Sequence, residues 1–148
     1  HRVTQNLIPT IPEENELVEN FAKRIQKTFF ETFSSLKNPK IISILGMGED
    51  GHTAGIFPLP EEPFRDIYKE DVTYVPVHVE GLTIDSRASF TPTWILNNVD
   101  EIIAYVTGDS KHEILKSLVN ESKQIHERPA ELFMLHKNVH LITDQYIQ

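Results

Sequence analysis

The 148-residue chain contains no cysteine, so it has neither a disulfide framework nor a metal site built from thiolates. This composition is compatible with a reducing compartment, and we expect a cytoplasmic protein. Basic residues are also few, with 14 Lys and Arg against 22 Asp and Glu, a net charge of −8. That balance argues against nucleic acid or an anionic membrane surface as a partner. An anionic substrate would therefore have to be attracted by local positive groups.

Long apolar runs are missing as well. No stretch reaches the roughly 20 residues that a membrane-spanning helix needs, and no signal peptide opens the chain. Hydrophobic residues make up 39% and charged residues 24% of the chain, as in an ordinary globular protein. We therefore expect residues 1–148 to form a single domain with its own core.

Glycine is scarce, yet three of the six glycines fall within one short stretch. Residues 41–45 are apolar and β-branched, which predicts a short buried strand. Gly46, Gly48 and Gly51 follow, and we expect them to allow positive φ angles and close approach of a ligand to the backbone. Open α/β sheets place their sites beyond such strand ends. His52 comes next, and histidine is the side chain best suited to acid–base catalysis near neutral pH.

Two other interpretations of these glycines compete with a catalytic one. The segment from Gly46 to Gly51 matches the spacing of a dinucleotide-binding fingerprint, which requires a long helix behind it. Pro58, Pro60 and Pro63 interrupt the chain at that point, so we reject the nucleotide interpretation. A glycine-rich turn beside a solvent-exposed histidine without catalytic function stays open as the simpler alternative.

Residues 45–58 read LGMGEDGHTAGIFP. This stretch resembles the signature of the 6-phosphogluconolactonases, within the wider glucosamine-6-phosphate isomerase/6-phosphogluconolactonase superfamily. The related deaminases share the Asp-Gly-His core but continue with a different segment, whereas the Thr-Ala and Ile-Phe-Pro of this chain match the lactonases. Gly55 stands where the lactonases usually have serine.

The resemblance implies an α/β fold, a three-layer Rossmann-like and mainly parallel sheet flanked by helices. It also implies hydrolysis of 6-phospho-D-glucono-1,5-lactone to 6-phosphogluconate in the pentose phosphate pathway, and we expect no cofactor. By the same likeness His52 is the general base, and Asp50 orients its ring or contacts sugar hydroxyls unless it is only a turn residue. We also expect Gly46, Gly48 and Gly51 to line the substrate, and from the placement of these glycines alone we expect backbone amides near them to stabilise the oxyanion.

Two cations are expected to hold the substrate phosphate. Arg87, followed by Ala-Ser-Phe-Thr, resembles the family position where an arginine opens a strand, and its planar guanidinium suits phosphate oxygens. Lys111 resembles a second phosphate-binding cation at a strand-to-helix turn, where backbone amides and the helix dipole would add to it. From residue type alone, both would be ordinary surface cations.

The other histidines do not indicate a metal site. His136 and His140 are four residues apart but flank a turn rather than sharing a helical face, so we expect no zinc. We expect His112 and His126 to face solvent and His78 to lie on the exposed face of a strand.

The rest of the chain alternates helical and strand patterns, which independently favours an α/β fold with a mainly parallel sheet. Residues 101–107 are predicted to form a strand buried on both faces. The other predicted segments are an extended lead-in at 1–10, helices at 12–36, 92–98 and 108–120, strands at 72–79, 88–91 and 139–143, a loop at 81–86 and a charged loop at 121–131.

The resemblance covers only the C-terminal part of the family. A Ser/Gly/Thr-rich phosphate loop and an acidic-Arg motif belong to the earlier part, and neither is recognisable before residue 41. We therefore expect a fragment or truncated relative with an incomplete phosphate pocket. Two further functions stay open: an aminosugar-phosphate isomerase/deaminase, which would need an enolising carboxylate, and a catalytically silent phosphosugar-binding or assembly piece.

Overall fold

The computed structural model describes residue 8 and residues 10–79 and 86–147. The predicted lead-in at 1–10 and the predicted loop at 81–86 lie largely outside these residues. The helices and strands are α1 (Val18–Ser34), β1 (Ile42–Leu45), α2 (Glu61–Ile67), β2 (Tyr74–His78), β3 (Ser86–Phe90), α3 (Pro92–Asn98), β4 (Glu101–Tyr105), α4 (His112–Asn120), α5 (Leu132–Leu135) and β5 (Val139–Ile142), with 3₁₀ turns at Asp109–Lys111 and Pro129–Glu131.

Three strands form a parallel sheet in the order β1-β4-β5. Ile44 pairs with Ile103 and Ile102 pairs with Val139, so the three strands run side by side in the same direction. Because the carboxyl ends of parallel strands meet at one edge, the turns after β1 and β4 lie at the same end of the sheet. The predicted α/β fold, a parallel sheet with flanking helices, is confirmed.

The prediction that β4 is buried on both faces is wrong. Ile102 and Ala104 are fully buried, whereas Tyr105, on the opposite face, is 57% exposed. On β1, Ile44 shares that open face and is 74% exposed. Strand β4 is therefore apolar on both faces, although the described residues cover only one of them.

Strands β2 and β3 form a separate antiparallel pair. Val75 and Val77 point into the core, as the alternation predicts. Pro76 lies inside β2, which pairs only with β3 within the described residues, so the proline is in an edge strand, where a missing N–H is tolerated. Arg87 is the second residue of β3 rather than the residue before it.

The long helix α1 packs on this pair through aromatic rings. The ring centroid of Phe29 lies 5.1 Å from that of Phe90 and 5.6 Å from that of Trp94. The helix begins at Val18, later than the predicted start at residue 12, because Asn15 adopts a left-handed φ of 60°. The helix ends at Ser34, close to the predicted end.

Helix α3 has the predicted bounds, and its N-cap explains them. The Thr91 side chain accepts a hydrogen bond from the Trp94 backbone N–H, and Pro92 occupies the first helical position. The predicted charged loop at 121–131 is wrong at its end, where Arg128 and Glu131 are 1% and 4% exposed. That residues 1–148 form one domain stays a prediction.

Candidate active site

The turn after β1 closes on itself through backbone hydrogen bonds. The Gly48 N–H donates to the carbonyl of His52 at 2.8 Å, and the Gly51 N–H donates to the carbonyl of Gly48 at 3.1 Å. The buried Thr53 hydroxyl donates to the Gly46 carbonyl at 2.6 Å and anchors the turn to the end of the strand. The backbone that carries His52 is therefore held on both sides.

The glycines of the signature differ in their backbone conformation. Gly51 has a φ of +82°, as predicted. Gly46 and Gly48 do not adopt positive φ, so that prediction is wrong for them. The further left-handed residues of the signature are Ala54, with φ 53°, and Gly55, with φ 75°.

At Gly48 the constraint is space rather than backbone angle. A Cβ at this position would lie 2.1 Å from the Nδ1 atom of His52 and 2.6 Å from Oδ1 of Asp50. No real side chain tolerates such contacts, so the absence of a side chain here allows the imidazole to lie over the turn.

Asp50 and His52 form a hydrogen-bonded pair. Oδ1 of Asp50 lies 2.6 Å from Nδ1 of His52 and also accepts the His52 backbone N–H at 3.0 Å. In the neutral ring, a carboxylate beside Nδ1 favours the tautomer that carries its proton on Nδ1, which leaves the Nε2 lone pair free. The His52 and Asp50 side chains are 39% and 53% exposed, so the pair is accessible from solvent.

Arg87 approaches the same site across a buried ring. The His52 ring stacks on Phe57 with a centroid separation of 4.7 Å, and the Arg87 guanidinium carbon lies 5.2 Å from the Phe57 centroid. Phe57 itself is only 5% exposed. His52 and Arg87 therefore both contact the Phe57 ring, whose face also favours the cation.

Lys111 lies at the same end of the sheet, in the turn that follows β4. It ends the 3₁₀ turn Asp109–Lys111 that follows β4, and its side chain is half-buried. Within the described residues, no hydrogen bond or ion pair links Lys111 to His52 or Arg87. Its predicted phosphate role stays a prediction.

Asp144 accepts a hydrogen bond from a backbone N–H at the start of that turn, an interaction that the sequence did not predict. The N–H of Gly108 donates to both carboxylate oxygens of Asp144, at 2.9 and 3.2 Å. Hydrogen bonds from the Gln145 side chain and then from Gly108 lower the pKa of Asp144. The only signal available was an acidic residue just after the last strand, next to the end of β4.

Two histidines considered as metal ligands have separate structural partners. Nε2 of the buried His136 lies 2.8 Å from the Val99 carbonyl oxygen, whereas His140 lies 3.2 Å from the Glu101 carboxylate. Among the described residues, no group of three His, Cys, Asp or Glu side chains is arranged to hold a metal ion.

Of the remaining histidines, two are less exposed than predicted. His112 and His126 are half-buried, and Nδ1 of His126 lies 3.3 Å from the Leu59 carbonyl oxygen. They were expected to face solvent because nothing in the sequence signals that their neighbours pack over them. His78 is exposed on β2, as predicted, and contacts Glu19 at 3.2 Å.

Comparison with known proteins decides the family. The family described as "Glucosamine-6-phosphate isomerases/6-phosphogluconolactonase" matches residues 1–142. The chain belongs to this family. A 6-phosphogluconolactonase of Treponema pallidum (strain Nichols) is 39% identical over 80 residues, covering 54% of this chain and 31% of that protein. A 6-phosphogluconolactonase of Bos taurus is 30% identical over 128 residues, covering 84% of this chain and 44% of that protein.

The fold of this family member also matches a solved structure. A 6-phosphogluconolactonase from Shewanella baltica OS155 superposes with a TM-score of 0.64 at 23% identity, covering 82% of this chain and 52% of that chain. The chain thus spans less than half the length of the two relatives above and about half of this structure. In the described part of the chain, no helix combines the length and apolarity needed to cross a membrane.

Proposed function

We propose that the protein to which these residues belong hydrolyses 6-phospho-D-glucono-1,5-lactone to 6-phosphogluconate, a step of the pentose phosphate pathway, in the cytoplasm. The observation that carries this proposal is the His52–Asp50 pair, held by the signature turn at the end of a parallel strand. The relatives from Treponema pallidum and Bos taurus are both named 6-phosphogluconolactonase.

His52 supplies the acid–base chemistry in this proposal. With Asp50 accepting a hydrogen bond from Nδ1–H, Nε2 takes a proton from water, and the resulting hydroxide adds to the C1 carbonyl of the lactone. Collapse of the tetrahedral intermediate breaks the bond between C1 and the ring oxygen. The protonated His52 then returns its proton to that oxygen, which becomes the free hydroxyl of the product.

The phosphate is held by Arg87, with Lys111 as the second cation. Arg87 is half-buried against Phe57, which reduces its solvation and strengthens its attraction for an anion. Arg87 also lines a cleft of about 410 Å³ with Glu16 and Glu19, whose negative charges disfavour a phosphate on that side. We therefore infer that the phosphate approaches from the Phe57 side, where His52 also lies.

The oxyanion of the tetrahedral intermediate needs hydrogen-bond donors other than the N–H groups of Gly48 and Gly51. The N–H groups of Gly48 and Gly51 donate within the turn, so the expectation that they stabilise the oxyanion finds no support in this arrangement. Such donors supply a large part of the catalysis of acyl transfer. In this proposal, other hydrogen-bond donors must therefore stabilise the oxyanion.

The alternative functions make different demands. The family also includes glucosamine-6-phosphate isomerases, whose chemistry requires a carboxylate placed to remove a proton from carbon. The carboxylate beside the imidazole, Asp50, already accepts two hydrogen bonds from His52. A silent phosphosugar-binding piece would retain Arg87 but make no use of the pairing between Asp50 and His52.

A substrate panel on the purified chain separates these functions. Acid release from fresh 6-phosphogluconolactone, above the spontaneous rate, supports the lactonase. Ammonium release from glucosamine 6-phosphate, with no effect on the lactone, would replace the lactonase with the isomerase/deaminase. A thermal shift with 6-phosphogluconate that depends on Arg87, without either reaction, would leave only the binding piece.

A further inference from the structure

A buried arginine joins three segments beneath the signature turn. Nε of Arg128 donates to Oε1 of Glu131 at 2.8 Å, and Nη1 donates to the Ser117 hydroxyl at 2.7 Å. Nη2 donates to the Glu121 carbonyl and to Glu131. The two charged side chains are 2% and 5% exposed, so this pair is almost completely removed from water.

The same arginine touches the signature turn. A Cβ on Gly51 would lie 2.7 Å from Cγ of Arg128, so the arginine stem packs directly against the Gly51 backbone. Two residues after Arg128, the N–H of Ala130 donates to the Gly51 carbonyl at 2.9 Å. Gly51 is therefore held from one side by a side chain and by a hydrogen bond from the same short segment.

The position of Gly51 decides the position of His52. Gly51 is the residue immediately before His52, and its own N–H closes the turn onto Gly48. A shift of Gly51 would move the imidazole away from Asp50, with which it now shares a 2.6 Å contact. The packing of Arg128 thus limits the freedom of the His52–Asp50 pair.

We propose that Arg128 is a positioning residue, which holds the His52–Asp50 pair in place through Gly51. The expected effect of Arg128 on catalysis rests on the proposed function, whereas its expected effect on the position of the His52 ring does not. A hydrophobic pair could fill this volume, often at no cost in stability. The planar guanidinium instead orients its stem by bonding to α4, to the residue that follows α4 and to the 3₁₀ turn Pro129–Glu131.

The test compares Arg128→Lys with Arg24→Lys. Arg24 also makes two hydrogen bonds to one carboxylate, Glu16, at 2.8 and 2.6 Å, but does so on α1. Nitrogen-15 NMR of the His52 ring measures the fraction of the Nδ1–H tautomer, and lactone hydrolysis gives kcat and KM. We expect Arg128→Lys to lower the Nδ1–H fraction and to lower kcat about tenfold with KM within twofold, since misplacing a catalytic group affects chemistry more than binding. Arg24→Lys should change neither quantity.

A milder variant keeps the inference testable if Arg128→Lys fails to fold. Ser117→Ala removes one hydrogen bond from the guanidinium and leaves the buried ion pair intact, and it should change the tautomer fraction in the same direction by a smaller amount. Folded Arg128→Lys and Ser117→Ala proteins with the wild-type tautomer fraction would overturn the inference. If wild type hydrolyses no lactone but the tautomer fraction falls in both variants, the positioning role stands and the proposed function fails.

Discussion

At the scale of single residues, the site depends on which side chains are absent as much as on which are present. The imidazole of His52 occupies the space that a side chain at Gly48 would need, and Asp50 then reaches Nδ1. Gly46, only two residues earlier, has no such neighbour, since its nearest atom would be the Tyr105 carbonyl oxygen at 3.9 Å. The absence of a side chain is therefore required at Gly48, where the His52 ring fills the space, but not at Gly46.

We predict that Gly48→Ala and Gly46→Ala have unequal effects. The new methyl group at Gly48 must displace the His52 ring, so we expect a loss of about 1–3 kcal/mol in the free energy of unfolding and loss of the contact with Asp50. Gly46→Ala should cost within about 0.5 kcal/mol, because the space is open and its φ is not positive. Urea unfolding with NMR of the His52 ring measures both. Equal losses would contradict this explanation of Gly48.

The sequence predicted part of the site for a physical reason. His52 and Asp50 are two residues apart, so a local turn suffices to pair them, and the signature encodes that turn. Arg87 contacts Phe57, on which the His52 ring stacks, and this contact between distant segments is established only by the folded chain. Arg128 falls in the predicted charged loop at 121–131, and its burial was not predicted, because some of the partners that bury it lie on other segments.

At the scale of elements, the N-terminus of α1 carries an ion pair rather than a side-chain cap. Glu16 precedes the helix and accepts hydrogen bonds from Arg24 inside it, at 2.8 and 2.6 Å. These hydrogen bonds from Arg24, more than any other interaction, lower the pKa of Glu16 from 4.5 to about 2. The helix start was predicted too early, because the acidic residues before Val18 are typical of a first turn but here form this pair instead.

We predict that this pair makes stability depend on pH in the acid range. A carboxylate whose pKa is lower in the folded chain stabilises the fold above its unfolded pKa and loses that contribution as pH falls through the folded value. The melting temperature of wild type should therefore exceed that of Glu16→Gln at pH 6, and the gap should shrink between about pH 4.5 and 2. Glu31→Gln, which removes an exposed pair with Lys27, is the control and should give a small gap. A gap for Glu16→Gln that stays constant down to pH 2 would rule out the lowered pKa.

At the scale of the whole molecule, the described residues cover the parallel sheet on one side only. Ile102 and Ala104 belong to the core, whereas Ile44 and Tyr105 lie on the open face. The sequence could predict most strands and a mainly parallel sheet, since these depend on local patterns and on alternation with helices. It could not predict the open face, because apolar residues occur on both sides of β4 whether or not another segment covers them.

We predict that the two faces respond differently to truncation of isoleucine. Ile102→Ala removes fully buried atoms and should cost about 2–5 kcal/mol in the free energy of unfolding. Ile44→Ala, at a side chain that is 74% exposed, should cost less than about 1 kcal/mol. Urea denaturation at two protein concentrations measures both and detects self-association. Equal costs would mean that the open face is covered in solution.

The central claim is that His52 acts as the base in lactone hydrolysis, and one measurement tests it most directly. Fresh 6-phosphogluconolactone is added to wild type and to His52→Gln at neutral pH, and the spontaneous rate is subtracted from each. The account predicts that wild type accelerates hydrolysis and that the variant falls by about 10²–10⁴-fold, the usual contribution of positioned acid–base catalysis. Equal rates for the two proteins, with both correctly folded, would contradict it.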